Sequence, residues 1–153
     1  MLAAQVLVGV TAQSVSAVED VVTLPQLRVL VMISSRGPVN LNAVAQAMGV
    51  HPSNATRACD RLVNAGLLDR RDSPADRRNV SLDLTPAGRE LVAMMVAHRR
   101  TAIAGVLQRM PETRRRALVP ALRSFAAAAG EGQVAEAWTM GWPPDPSDNN
   151  TRP

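Results

Sequence analysis

"VNLNAVAQAMGVHPSNATRACDRLVNAGLL", residues 39–68, carries two helix signals with a break between them. Residues 41–48 put Leu41, Val44, Ala45 and Met48 on one face, and Gly49 follows as a terminator able to adopt the left-handed conformation. Pro52 then takes the first position of a second helix that runs to Asn64 and stops at Gly66. Two short helices joined by a Gly-containing turn of about three residues match the composition of a helix-turn-helix. Ala45 and Ala55 are small where such helices would cross closely. This pattern alone leaves an ordinary helical hairpin open.

The second helix divides its faces. Ala55, Cys59 and Leu62 align at i, i+4 and i+7, with Ala58 beside them, and form the inner side. Ser53, Asn54, Thr56, Arg57, Asp60, Arg61 and Asn64 take the remaining surface. A leading turn of Ser, Asn, Thr and Arg offers donors suited to base edges, although an undedicated solvent face has the same composition.

The residues after Gly66 favour base recognition. "LLDRRDS" (67–73) and "NVSLDLT" (79–85) each read as a strand, the second alternating Val80, Leu82 and Leu84 against Ser81 and Asp83. "PADRRN" between them reads as a turn with arginines at its tip. A two-stranded ribbon after a helix-turn-helix makes a winged module whose tip can reach the minor groove or backbone beside the helix. Asp76, two positions before Arg78, can hold a guanidinium or brace the turn.

The flanking segments are helical too. Residues 2–21 repeat apolar positions, with Leu2, Val6, Val10, Val15 and Val18 as markers, and carry acids only at their end; a helix so short of charge is covered by its own fold or by a second chain. "TLPQLRVLVMISSRG" starts a helix at Pro25 and stops at Gly37. From Thr85 as cap and Pro86 as first residue a long helix extends, with Leu91, Met95, His98, Ala102 and Leu107 as its inner stripe. Another begins at Pro111, with Leu118, Leu122 and Phe125 available to a partner and Pro120 expected to bend it or interrupt its hydrogen bonds. The expected division is a dimerisation helix over 1–24, a DNA-binding module over 25–86, a long helix and further dimerisation helices over 87–142, and a disordered tail over 143–153.

Composition sets bounds. A chain of 153 residues holds one domain, and a core of Leu, Val, Ala and Met with one Phe and no Tyr suits helices. The expectation is a mostly α protein with a small β-hairpin wing. All seventeen basic residues are arginines against thirteen acids, a net +4, and residues 1–27 carry no base while Arg57, Arg61, Arg70, Arg71, Arg77 and Arg78 cluster. Clustered arginine favours phosphate and guanine edges, offset here by Asp60, Asp69, Asp72 and Asp76. The single Cys59 forms no intrachain disulfide and fits a reducing, cytoplasmic compartment. No apolar run is long enough for a membrane span, and the opening segment lacks the basic start of a signal peptide. His51, His98 and Cys59 are dispersed, so no metal, cofactor or catalytic set is expected.

The segments "TLPQLRVLVMI" and "LNAVAQAMGVHPSNATRACDRLVNAGLLDRRDSPADRRNVSLDLTPAGREL", with the long helix after them, closely resemble the MarR family of bacterial winged-helix transcriptional regulators. The resemblance covers about residues 10–130 and lies in the combination of "LVNAGLL", the Asp-Arg-Arg wing and "LTPAG". It implies a homodimer interlocked through its terminal helices, two winged modules over one palindromic double-stranded DNA site, and repression relieved by a small aromatic effector. It also makes 52–64 the recognition helix, with Ser53, Asn54, Thr56 and Arg57 facing the groove, Arg61 on phosphate, Arg77 and Arg78 at the wing tip, and Asp76 as the supporting acid. Met94, Met95 and His98 become the expected effector pocket, and Trp138 and Trp142 candidates to clamp the dimer or cover that pocket. His51 departs from the Ser, Thr or Asp common at the helix cap and is expected to cap poorly. Cys59 stands on the inner face, where a core thiol is the expected role and oxidant sensing is not. The alternative is a winged-helix protein acting mainly through protein contacts.

Overall fold

The computed structural model describes residues 1–73 and 76–129, excluding the side chains of 72–80. The elements run α1 (Leu2–Ser16), α2 (Leu24–Arg36), β1 (Val39–Asn40), α3 (Leu41–Met48), α4 (Pro52–Asn64), β2 (Leu68–Ser73), β3 (Asp76–Leu84), α5 (Pro86–Gln108) and α6 (Glu112–Ala129). The expected tail and both tryptophans lie outside the described residues.

Local chemistry sets most boundaries. Asn40 caps α3 by accepting from the Ala43 N–H at 2.8 Å, and Gly49 ends it at φ +62°. Thr85 caps α5 by accepting from the Gly88 N–H at 3.1 Å, with Pro86 at the first helical position. α2 is central: Leu27, Val29, Leu30, Val31, Met32 and Ile33 are all buried, so it packs on nearly every side, against α3, α4, α5 and β3. Val44, Ala45, Ala55, Cys59, Leu62, Leu82, Leu84, Leu91 and Met95 close the core around it. The small Ala45 and Ala55 are both buried where α3 meets α4.

The sheet has three strands where two were expected. β1 pairs antiparallel with β3 through Val39↔Leu82 and Asn40↔Ser81, giving the order β1-β3-β2. Two residues ahead of a helix carry too little alternation to announce a strand. Part of the stretch "PADRRN" read as a turn is strand, because β3 already starts at Asp76, opposite Ser73. Its register jumps from Asp72↔Val80 to Ser73↔Asp76, so the extra residues, Arg77 and Arg78 among them, fall at the irregular end of the ribbon.

One expectation for the outer helices needs correction. On α5 the buried set is Gly88, Leu91, Val92, Met95 and Arg99, while His98 is exposed. Arg99 replaces it inward because its Nε donates to Ser14 Oγ of α1 at 3.1 Å, a bond that compensates the burial of both groups. α6 continues through Pro120 as one helix, although the missing N–H removes one bond of its ladder. α6 buries none of its residues within the chain; Val119, Leu122 and Phe125 are exposed, as are Leu2, Val6, Leu7 and Val8 of α1. The architecture is a winged helix-turn-helix carried between terminal helices.

Candidate nucleic-acid interface

The inner face of α4 is filled by Ala55, Cys59 and Leu62, all buried. Cys59 is a core thiol: burial, the largest influence, pushes it up to about 11, with Arg70 lowering and Asp60 raising it by lesser amounts. That packing fixes which residues remain outside. Asn54, Arg57 and Arg61 are exposed at i, i+3 and i+7 and share one stripe, and among the described residues their side chains make no hydrogen bond or ion pair. This is a donor-rich strip of two guanidinium forks and one amide, held by a helix whose opposite side is locked into the core.

The first turn is more occupied than the sequence suggested. His51 does cap the helix: its Nδ1 accepts from the Ser53 N–H at 3.3 Å and lies 2.9 Å from Ser53 Oγ. The longer backbone bond makes this a weaker cap than a short serine or aspartate one. Thr56, half-buried, donates its hydroxyl to the Pro52 carbonyl at 2.9 Å. Thr56 therefore spends its proton on its own helix and offers acceptor capacity outward, while the Ser53 hydroxyl is engaged with the His51 ring.

The acids around the wing neutralise specific partners. Asp60 of α4 accepts from Arg70 of β2. Asp69 and Asp83 stand opposite each other across β2 and β3, an arrangement that repels. Arg71 relieves it, with Nε 3.5 Å from Asp69 and Nη1 3.9 Å from Asp83, and Arg89 of α5 approaches Asp83 at 3.9 Å. The charge in this stretch is thus largely structural at the ribbon's base. The side chains of Asp76, Arg77 and Arg78 lie outside the described residues.

Thr85 and Gly88 join the wing to α5. The Thr85 N–H donates to the Leu67 carbonyl at 3.1 Å and its hydroxyl to the Gly66 carbonyl at 2.6 Å. A Cβ on Gly88 would lie 2.1 Å from the Leu67 carbonyl oxygen, so only glycine admits this approach.

Between α1 and α5 a cleft of about 460 Å³ is lined by Gln13, Ser14, Met94, Ala97, His98, Thr101 and Ala102. Met94 and His98 of the expected pocket are on its wall. Met95 is not: it is fully buried in the core, one residue round the helix. Gln13 and Ser14 of α1 supply polar atoms that no helical stripe of α5 alone could have indicated, whereas Thr101 continues the Met94–His98 face of α5 itself.

A family model described as MarR family matches residues 22–80. RV1404 from Mycobacterium tuberculosis, a solved structure, is 42% identical, with 85% of this chain and 89% of that chain covered and a TM-score of 0.74. The HTH-type transcriptional repressor MdtR of Bacillus subtilis is 33% identical over 91 residues, 60% of this chain and 59% of its own. A structure of Bordetella bronchiseptica BpsR, whose DNA binding is described as regulated by 6-hydroxynicotinic acid, is 29% identical, with 80% of this chain and 86% of that one covered and a TM-score of 0.51. The chain spans about half the length of the curated relatives it matches.

Proposed function

The chain belongs to the MarR family, and on that premise we propose that it is a homodimeric repressor that binds a palindromic double-stranded DNA site and is released by a small aromatic ligand. The observation that carries the DNA reading is the uncommitted Asn54–Arg57–Arg61 stripe on a helix anchored through its other face. Arg57 reads a base through its planar fork, Asn54 lies one turn before it, and Arg61 holds phosphate. Ser53 and Thr56 accept from the duplex, and Arg77 and Arg78 grip beside the groove, steadied by Asp76.

The dimer reading is supported by the apolar surfaces of α1 and α6, which nothing among the described residues covers. A two-fold axis between two chains sets the two α4 helices over half-sites about one helical turn, roughly 34–36 Å, apart. Repression follows the example of MdtR, and ligand release that of BpsR. The effector cleft is the α1–α5 one, where Met94 and Ala97 give an apolar wall and His98, Gln13 and Thr101 polar partners for a ring substituent.

Selection of bound duplexes from a random pool by the purified protein tests this directly. A symmetric consensus is the expected result. Recovery of no consensus, with binding to other proteins instead, would support a winged-helix module working through protein contacts.

A further inference from the structure

Beyond the core, the wing is tied to α4 by the Asp60–Arg70 ion pair. Asp60 lies one turn after Arg57, at the edge of the Asn54–Arg57–Arg61 stripe, and its carboxylate is engaged by Arg70. Arg70 stands opposite Leu82, which is fully buried, and so belongs to the core-facing side of the ribbon, whereas Arg71 belongs to the other side with Asp69 and Asp83. The two neighbouring arginines clamp the ribbon's base from both sides, Arg70 to α4 and Arg71 through Asp83 towards Arg89 of α5. Leu67 and Leu68 are the last buried residues before the exposed run Asp69–Arg71.

Both partners are about half exposed, at 41% and 46%, a setting in which an ion pair adds little to stability. Its effect must therefore be sought elsewhere. A lone carboxylate on this helix would repel phosphate, and a lone guanidinium beside it would grip any phosphate regardless of sequence. Paired, the two charges do neither, and they fix the direction in which the ribbon leaves the helix.

We infer that Asp60 and Arg70 form a positioning pair that holds the wing at a set angle to α4, so that helix and ribbon engage one duplex together only on the correct sequence. Neither residue contacts DNA. The inference rests on the DNA-binding reading of α4, and it adds two specificity-determining residues to that reading.

The test uses the full chain with Asp60→Asn, Arg70→Gln, the double variant and Asp60→Glu, on the selected duplex and on random duplex over a salt series. Each single variant lowers the ratio of selected to random binding roughly tenfold, and the double variant lowers it no further, because one coupling is lost in all three. Asp60→Glu retains most of the ratio. The salt slope of Arg70→Gln on the selected duplex stays at the wild-type value, and its thermal midpoint moves by no more than about 2–4 °C. Without DNA, amide exchange of residues 70–72 and 81–83 quickens in Asp60→Asn.

Independent losses that multiply to roughly a hundredfold in the double variant would overturn the pairing. A salt slope reduced by about 0.9 in Arg70→Gln would make it a phosphate contact instead. Unchanged exchange in the free protein would remove the positioning role. A wild-type protein that yields no consensus overturns the DNA reading and this inference together; a consensus with multiplying losses overturns this inference alone.

Discussion

Replacing Gly88 by alanine tests the joint between the DNA-binding module and the long helix. The new Cβ would sit 2.1 Å from the Leu67 carbonyl oxygen, 3.1 Å from its carbon and 3.3 Å from Leu84 Cδ2. An unstrained carbon–oxygen contact is about 3.3 Å, so the start of α5 must move away from residue 67 by about 1 Å. That shift stretches the bonds from Thr85 to the Leu67 and Gly66 carbonyls, now 3.1 and 2.6 Å. Losing one or two such bonds costs about 1–2 kcal/mol, and the overpacking itself about 1–3. Alanine's better helix propensity returns about 1 kcal/mol. The net is a destabilisation of about 1–4 kcal/mol, or roughly 3–12 °C at about 3 °C per kcal/mol for a domain of this size. Gly105→Ala supplies the control, because it lies in the same helix with nothing within 4 Å of its Cβ. It should leave stability unchanged or raise it by up to about 1 kcal/mol. Urea unfolding of the three proteins, with equal slopes, measures both differences. Equal stability of Gly88→Ala and wild type would refute the reasoning, since a clash with backbone cannot be relieved by a side-chain rotation.

Arg57→Ala should lower discrimination between the selected site and its single-base variants by about 1–3 kcal/mol, read from binding over a salt series; unchanged ratios would assign that side chain elsewhere. Leu122→Asp with Phe125→Asp should shift the particle from dimer to monomer in sedimentation, because both residues are exposed on a stripe of α6 that nothing among the described residues covers. Stability should also fall at high pH. The Cys59 thiol, held near 11 in the folded chain against 9.0 for an ordinary one, favours the folded state fully below pH 9, and that contribution is lost as pH rises from 9 to 11. The loss is up to about 3 kcal/mol. The chain has no lysine and no tyrosine to titrate in that window, so Cys59→Ala should flatten the curve of denaturation midpoint against pH.

The reach of the sequence follows the reach of its interactions. Gly49, Pro52, Gly66 and the Thr85–Pro86 pair act within one helical turn, and the boundaries they announce are those of α3, α4 and α5. The partition of α4 was equally legible, because Ala55, Cys59 and Leu62 repeat at helical spacing and leave Asn54, Arg57 and Arg61 outside. Contacts between distant segments were not. β1 exists because residues 39–40 find residues 81–82, a pairing set by how the whole chain closes. On α5, apolar spacing favoured His98 over a charged neighbour, yet Arg99 lies closer in helical angle to Met95, and Ser14, 85 positions away, makes its burial tolerable. Asp60 and Arg70 likewise read as surface charges until the fold brings them together. Sequence determined where the chain turns and which face of each short helix goes inward, because those choices are made over a few residues. The tertiary structure decided which buried polar groups find partners and which charges cancel, because such pairs form only where remote segments close on one another.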